Sequence, residues 1–161
     1  CLVGEAPGAE ETRLSRPFVG KAGKNLDEFL AAIRLNRPDI YITNVVKFRP
    51  CRISPKGTVS NRPPNREELE CMQPLLLREL EMVSPRVVVT LGNVPLKCLL
   101  GAGAAIGALH AVPVEASALS HTFTLFPLYH PASIIYNPAL KSVYEQDLVK
   151  LRRLLDALGI G

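Results

Sequence analysis

The sequence predicts an α/β fold: a parallel sheet covered by helices on both faces. Short runs at "CLVG" (1–4), "IYITNVV" (40–46), "RVVVTLG" (86–92) and "FTLFPLYH" (123–130) are rich in β-branched or aromatic residues. They are apolar throughout and do not alternate, which is the pattern of strands buried on both faces. Segments of helical spacing lie between them, and strand following helix in this order argues for a parallel sheet in an α/β/α sandwich.

Taken along the chain, the first strand leaves through "GEAPGAEETRLSRPFVGKAG" (4–23), a loop of glycines and prolines in which Phe18 reads as exposed. Leu26, Phe29, Leu30 and Ile33 then fall at i, i+3, i+4 and i+7, the stripe of an amphipathic helix. After the second strand, Pro50, Pro55, Gly57, Pro63 and Pro64 forbid a helix, so 47–66 is expected as an irregular surface segment. Asn65, with Glu68 three residues on, opens the next helix, whose apolar face is Leu69, Met72, Leu76 and Leu80. Cys98 falls in a further helical stretch as a small buried hydrophobe. Leu148, Leu151, Leu155 and Leu158 mark a closing helix. With no repeat and no linker, 161 residues read as one domain, 1–161.

Composition narrows the function. No apolar run approaches the ~20 residues of a membrane span, and no charged leader precedes an apolar stretch, so a cytoplasmic protein is expected. The chain opens on Cys1 and not on Met, which leaves room for residues upstream. Four widely spaced cysteines suggest reduced thiols or metal ligands in preference to disulfides. The net charge of +4 favours a polyanionic partner. Lys47, Arg49, Arg52, Lys56, Arg62 and Arg66 crowd one stretch that contains no acid. A merely solvated loop is the plain alternative.

An open parallel sheet gathers its ligand at the carboxyl ends of its strands. There the sequence delivers Glu5 after the first strand, Asn44 after the second and His130 after the fourth, with Phe18 within reach. Singly, each could be a structural residue or a turn former; together at one rim they suggest a site. Glycines let backbone approach a flat ligand and prolines stiffen the loop. Neither GxxxxGK[ST] nor GxGxxG is present, so a phosphate cradle is a poorer fit than a planar base stacked on Phe18 and hydrogen-bonded by Asn44.

"GEAPGAEE…RPFVGKAG", "YITNVVK" and "YHPAS" closely resemble, in order from Gly4 to about Asn137, the motifs of the uracil-DNA glycosylase superfamily, in particular its family 4. The resemblance implies a three-layer α/β/α sandwich with a central four-stranded parallel sheet. It also implies hydrolysis of the N-glycosidic bond of uracil in DNA, with no redox or nucleotide cofactor. By this resemblance Glu5 is the acid associated with the hydrolytic water, and His130 faces the leaving base. Phe18 stacks on the extruded base, Asn44 reads uracil, and Glu11 shapes the pocket near the pyrimidine C5 edge. Gly4, Ala6 and Gly8 belong to the loop that lines the base. Arg49, Arg52 and Lys56 are expected on DNA phosphates. Ser133, Ile134 and Ile135 are expected in the segment that enters the duplex, with Ile134 or Ile135 as its wedge. The implied partner is uracil-containing DNA, bound by a monomer associated with the nucleoid and not with a membrane.

The sequence departs from the family pattern in several places. Ala6 stands where the superfamily's aspartate version carries its Asp. Family 4 proteins commonly hold a [4Fe–4S] cluster on four cysteines; Cys71 matches the helix ligand, but Phe48 occupies the strand-end position and no CxxC precedes Gly4. No cluster is therefore expected; were one present, Cys71 would be a ligand, with Cys51 or cysteines upstream of Cys1 as the others. The 47–66 loop is longer than usual for the family and contains no histidine, which disfavours covalent trapping of the sugar. Ser133 and Tyr136 replace the family's usual Tyr and Arg. His110 and His121 lack any motif and read as surface or structural residues. A catalytically weak nucleic-acid-binding relative is the alternative function, and a soluble nucleoside hydrolase is a third, against which the basic loop argues.

Overall fold

A computed structural model describes residues 1–161, the side chain of Lys21 excepted. The elements run β1 (Leu2–Gly4), α1 (Ala9–Leu14), α2 (Lys21–Ala32), β2 (Ile42–Asn44), β3 (Cys51–Ile53), β4 (Val59–Asn61), α3 (Arg66–Val83) and β5 (Val87–Leu91). They continue with α4 (Asn93–Leu100), α5 (Ile106–Leu109), β6 (Val114–Ala118), β7 (His121–Leu128), α6 (Ser133–Tyr136) and α7 (Leu140–Ala157).

The main sheet has the order β2-β1-β5-β7-β6. Its parallel part is the expected one: β1 pairs with β2 and β5, and β5 with β7. The expectation of four strands is corrected to five, because β6 adds an antiparallel edge to β7. The sequence of β6, "VEASA", alternates half-buried with exposed positions and carries small residues. It lacks the two-sided apolar signature of the interior strands, and an edge strand does not need one.

Successive residues of the interior strands go to opposite faces, which explains why these strands are predominantly apolar and do not alternate. Leu2, Val87, Val89, Leu91, Phe126 and Leu128 pack against Leu26, Phe29, Leu30 and Ile33 of α2 and Tyr144, Leu148, Leu151 and Leu155 of α7. Val3, Val88 and Leu125 face the other way, onto Leu76 and Leu80 of α3 and Leu96 of α4. Burial of each large apolar side chain contributes about 1.5–3 kcal/mol, so these two layers hold the strand ends that carry the site.

Helix α3 begins as its sequence predicts: Asn65 Oδ1 accepts the Glu68 N–H at 2.8 Å, and Glu68 Oε2 accepts the Asn65 N–H at 2.8 Å. The 47–66 segment is not irregular as expected. It holds an antiparallel hairpin, β3–β4, with the pairs Cys51↔Asn61, Arg52↔Ser60 and Ile53↔Val59. Prolines exclude a helix there but not a short hairpin in which they fall outside the ladder. His110 Nδ1 lies 2.6 Å from Asp147 Oδ2, and His121 Nε2 lies 2.8 Å from the Pro85 carbonyl oxygen. Among the described residues no helix is long and apolar enough to cross a membrane.

Candidate active site

The ends of β1, β2 and β7 surround a cavity of about 360 Å³ whose walls include Ala6, Gly8, Glu11, Phe18, Asn44 and His130. Three chain segments far apart in sequence meet here because β1 lies between β2 and β5, and β7 follows β5. Gly4 forms the close-packed base of this arrangement. A Cβ on Gly4 would stand 2.4 Å from Asn44 Oδ1 and 2.5 Å from Phe18 Cζ, so only glycine lets both side chains settle here.

Phe18 is not exposed, as its sequence context suggested; it is 6% accessible and joins the α2–α7 core layer. Its backbone has φ of 51°, in the left-handed region that a phenylalanine adopts only under constraint. Two side chains supply that constraint. Arg37 donates to the Pro17, Phe18 and Gly23 carbonyl oxygens at 3.0, 2.6 and 3.2 Å. Glu11 accepts from the other side: Oε1 takes the Val19 and Gly20 N–H groups at 3.0 Å each, and Oε2 takes the Gly8 N–H at 3.1 Å. Partial burial pushes the Glu11 carboxyl up, but the backbone N–H bonds outweigh it and hold the group below its ordinary value. Glu11 thus lines the cavity while its carboxylate clasps the two halves of the opening loop together.

His130 follows β7 and sits with its ring centroid 6.1 Å from that of Phe18. The Ala132 N–H donates to His130 Nδ1 at 3.1 Å. An accepting Nδ1 carries no proton, so the ring is neutral and its proton is on Nε2. Burial, which lowers the His130 pKa, favours the same state. His130 therefore offers one neutral N–H donor. Asn25 Nδ2 donates to the Pro131 carbonyl oxygen at 3.0 Å and fixes the turn that carries the ring.

Asn44 closes β2. Its backbone carbonyl accepts from Lys47 Nζ at 2.8 Å, while its carboxamide makes no hydrogen bond to another protein group among the described residues. An amide held at a cavity wall with donor and acceptor unspent can bind a ligand edge. Glu5, the next residue after β1, is half-buried, and desolvation raises its carboxyl pKa. It lies beside the cavity and is not among the residues that line it.

The remaining sequence-predicted positions divide. Arg49 and Arg52 donate through Nε at the surface to residues of β4, Asn61 Oδ1 at 2.7 Å and Ser60 Oγ at 3.1 Å, and Lys56 is exposed at the hairpin turn. The three other basic residues of the same stretch are neutralised: Lys47 pairs with Glu79, Arg62 with Glu68 at 2.6 Å and Arg66 with Glu70 at 2.6 Å. In α6, Ile134 packs against the α2–α7 layer, whereas Ile135 is 46% and Tyr136 87% exposed; Ser133 is half-buried. Two functional residues escaped the sequence reading. Asn61 reaches the cavity from the hairpin, and Arg37 grips the Phe18 loop from a short 3₁₀ turn. "NRP" recurs at both places, 36–38 and 61–63, but carries no signal of either contact.

All four cysteines are free thiols; Cys51 and Cys71 are exposed, Cys1 and Cys98 half-buried. Among the described residues no three His, Cys, Asp or Glu side chains gather closely enough to hold a metal ion.

The sequence model of the uracil DNA glycosylase superfamily matches residues 1–152. Among curated proteins, the type-4 uracil-DNA glycosylase of Archaeoglobus fulgidus is 38% identical over 157 residues, which is 95% of this chain and 75% of that protein. The type-4 uracil-DNA glycosylase of Sulfurisphaera tokodaii is 36% identical over 158 residues, 95% of this chain and 68% of its own length. That of Pyrobaculum aerophilum is 38% identical over 151 residues, 91% and 73% respectively. A match across nearly the whole chain leads to one assignment: the chain belongs to the uracil-DNA glycosylase superfamily.

Proposed function

We propose that this protein excises uracil from DNA by hydrolysing the N-glycosidic bond, leaving an abasic site. The observation that carries this reading is the convergence of the Phe18 ring, the unengaged Asn44 carboxamide and the neutral His130 on one cavity. A flipped base would stack on Phe18, and Asn44 would meet its O4 and N3–H edge.

Bond breakage leaves anionic uracil and an oxocarbenium-like sugar. A donor at the base and negative charge near the sugar therefore both lower the barrier. His130 Nε2–H is the donor that strengthens as charge builds on the base. Being neutral, it gives up no proton and only stabilises. Glu5, as carboxylate, supplies the negative charge beside the sugar and accepts a hydrogen bond from the attacking water. Ala6 brings no carboxylate to the cavity, so no second acid assists that water from this position.

In this reading residues 1–161 act as one catalytic domain, as a monomer in the cytoplasm at the nucleoid, without an iron–sulfur cluster. Arg49, Arg52 and Lys56 hold DNA phosphates, and the α6 segment of Ser133, Ile134 and Ile135 enters the duplex with Ile135 as its projecting wedge. The test is incubation with uracil-containing single-stranded and duplex oligonucleotides followed by alkaline cleavage. Strand scission at uracil supports the reading. Tight binding of the same oligonucleotides without scission would favour a non-catalytic relative instead. Iron analysis of the purified protein should find none; stoichiometric iron lost on Cys71→Ala would overturn the cluster-free state.

A further inference from the structure

The β3–β4 hairpin shows two features that the excision chemistry leaves unused. Its ladder pairs Ile53 with Val59, and these apolar side chains are 70% and 46% exposed. Residues two apart on a strand share a face. Val59 is two residues before Asn61, and Ile53 is opposite Val59, so the pair lies on the hairpin face that Asn61 presents to the cavity. At a strand rise of about 3.3 Å per residue, it sits roughly 7 Å beyond Asn61. Arg52 and Ser60 occupy the opposite face.

The hairpin is also held in place. Arg62 donates to Glu68 of α3 at 2.8 and 2.6 Å and to the Cys51 carbonyl oxygen at 3.2 Å. At its far end the Ser54 N–H donates to the Thr58 carbonyl oxygen and the Gly57 N–H to that of Ser54, both at 2.9 Å, and Gly57 takes a φ of +78°. An apolar pair on a fixed arm, roughly 7 Å along the strand from the cavity wall at Asn61, is built to meet something flat and apolar. The charge of the segment says what carries it: Arg49 precedes the ladder and bonds Asn61, Lys56 lies in its turn, Arg52 is on the opposite face, and no acid occurs between Lys47 and Arg66.

We infer that the hairpin is a second DNA-contacting wedge, separate from α6, whose Ile53–Val59 pair packs against the base next to the extruded nucleotide. This rests on the proposed excision of uracil from DNA. Apolar side chains that wedge beside a base step unstack it, and the unstacked neighbour then finds the Ile53–Val59 surface in place of its former stacking partner. Asn61, on the same face, continues this surface into the cavity.

The test uses duplexes that carry a non-hydrolysable 2′-fluoro-deoxyuridine, with fluorescent 2-aminopurine on its 5′ or 3′ side. Wild-type protein should raise the 2-aminopurine signal on one side. The double variant Ile53→Ser/Val59→Ser should lower that rise and weaken binding roughly 10-fold, with an unchanged melting temperature because both positions are exposed. Ile53→Leu/Val59→Ile should keep the wild-type signal. If the serine variant costs stability, Val59→Thr alone, which keeps the branched strand residue, should still lower the fluorescence rise. Fluorescence and affinity within twofold of wild type for the serine variant and for Val59→Thr would overturn the inference, and would leave the apolar pair to a protein partner. Wild-type protein that releases no uracil from cleavable substrate would refute the excision reading itself, a distinct outcome.

Discussion

Arg37 donates through Nη2 to the Phe18 carbonyl oxygen at 2.6 Å, while Glu11 Oε1 holds the N–H groups of the next two residues, Val19 and Gly20. The peptide unit that follows Phe18 is thus gripped at its carbonyl by a cation and at its N–H by an anion, which holds the left-handed backbone of Phe18. The aromatic ring that would stack on a base is positioned by two charges that need never touch it.

Removing that grip should therefore act on the site from a distance. Arg37→Ala should lower kcat/KM for uracil excision by roughly 10- to 100-fold, the scale expected when a positioning group is removed. The fold should survive, because Arg37 is outside both core layers. Hydrogen exchange at Val19 and Gly20 should accelerate. Unchanged exchange together with unchanged kinetics would show that the loop keeps its shape without Arg37.

His130→Ala should cut single-turnover excision by ~10²–10³, the effect of removing one donor to a developing anion. Binding of uracil-DNA should change far less. The pH dependence follows from the neutral ring. Burial lowers the His130 pKa from 6.5, so the productive neutral form persists through neutral pH and is lost only as pH falls below the ordinary histidine range. Protonation would also break the Ala132 N–H bond to Nδ1. The rate should accordingly be level from neutral pH upward, with an acid limb. Glu5, whose pKa burial raises, adds to the same limb by losing its charge as pH falls. A rate that rises with protonation of histidine would contradict the assignment.

Asn44→Asp tests whether the amide reads the base. A carboxylate keeps an acceptor, loses the donor to O4 and repels the leaving uracil's charge. Uracil excision should fall by about 10² or more, whereas cytosine, which offers an amino donor, should be penalised less. Comparison of U·G and C·G duplexes measures this directly. Intact uracil excision with an unmoved U-to-C ratio would make Asn44 a structural residue.

Salt dependence should report on the hairpin charges. Lys47, Arg62 and Arg66 already have carboxylate partners in Glu79, Glu68 and Glu70, which leaves Arg49, Arg52 and Lys56 for phosphates. Replacing these three with Gln should flatten the log–log salt slope of binding by roughly 0.9 for each phosphate no longer neutralised. An unchanged slope would remove the hairpin from the DNA interface.

The parallel part of the sheet, the two helical layers and the strand ends that supply Glu5, Asn44 and His130 are legible in the chain alone. These are local patterns: two-sided apolar strands, i, i+3, i+4 stripes, and the Asn65–Glu68 cap, whose partners are three residues apart. The rest emerges only when the elements pack. The β6 edge strand carries "VEASA" because one of its sides faces solvent, so its pairing with β7 is what reveals it. Phe18 is buried because Gly4 and Gly23 leave room for it, and that depends on how separate segments meet. Arg37 and Asn61 are ordinary polar residues in their own surroundings. They acquire their roles only when the chain brings the 3₁₀ turn beside the Phe18 loop and the hairpin beside the cavity. Periodicity along a chain records which face is buried; it does not record which backbone atom a side chain will meet once the sheet has brought its strands together.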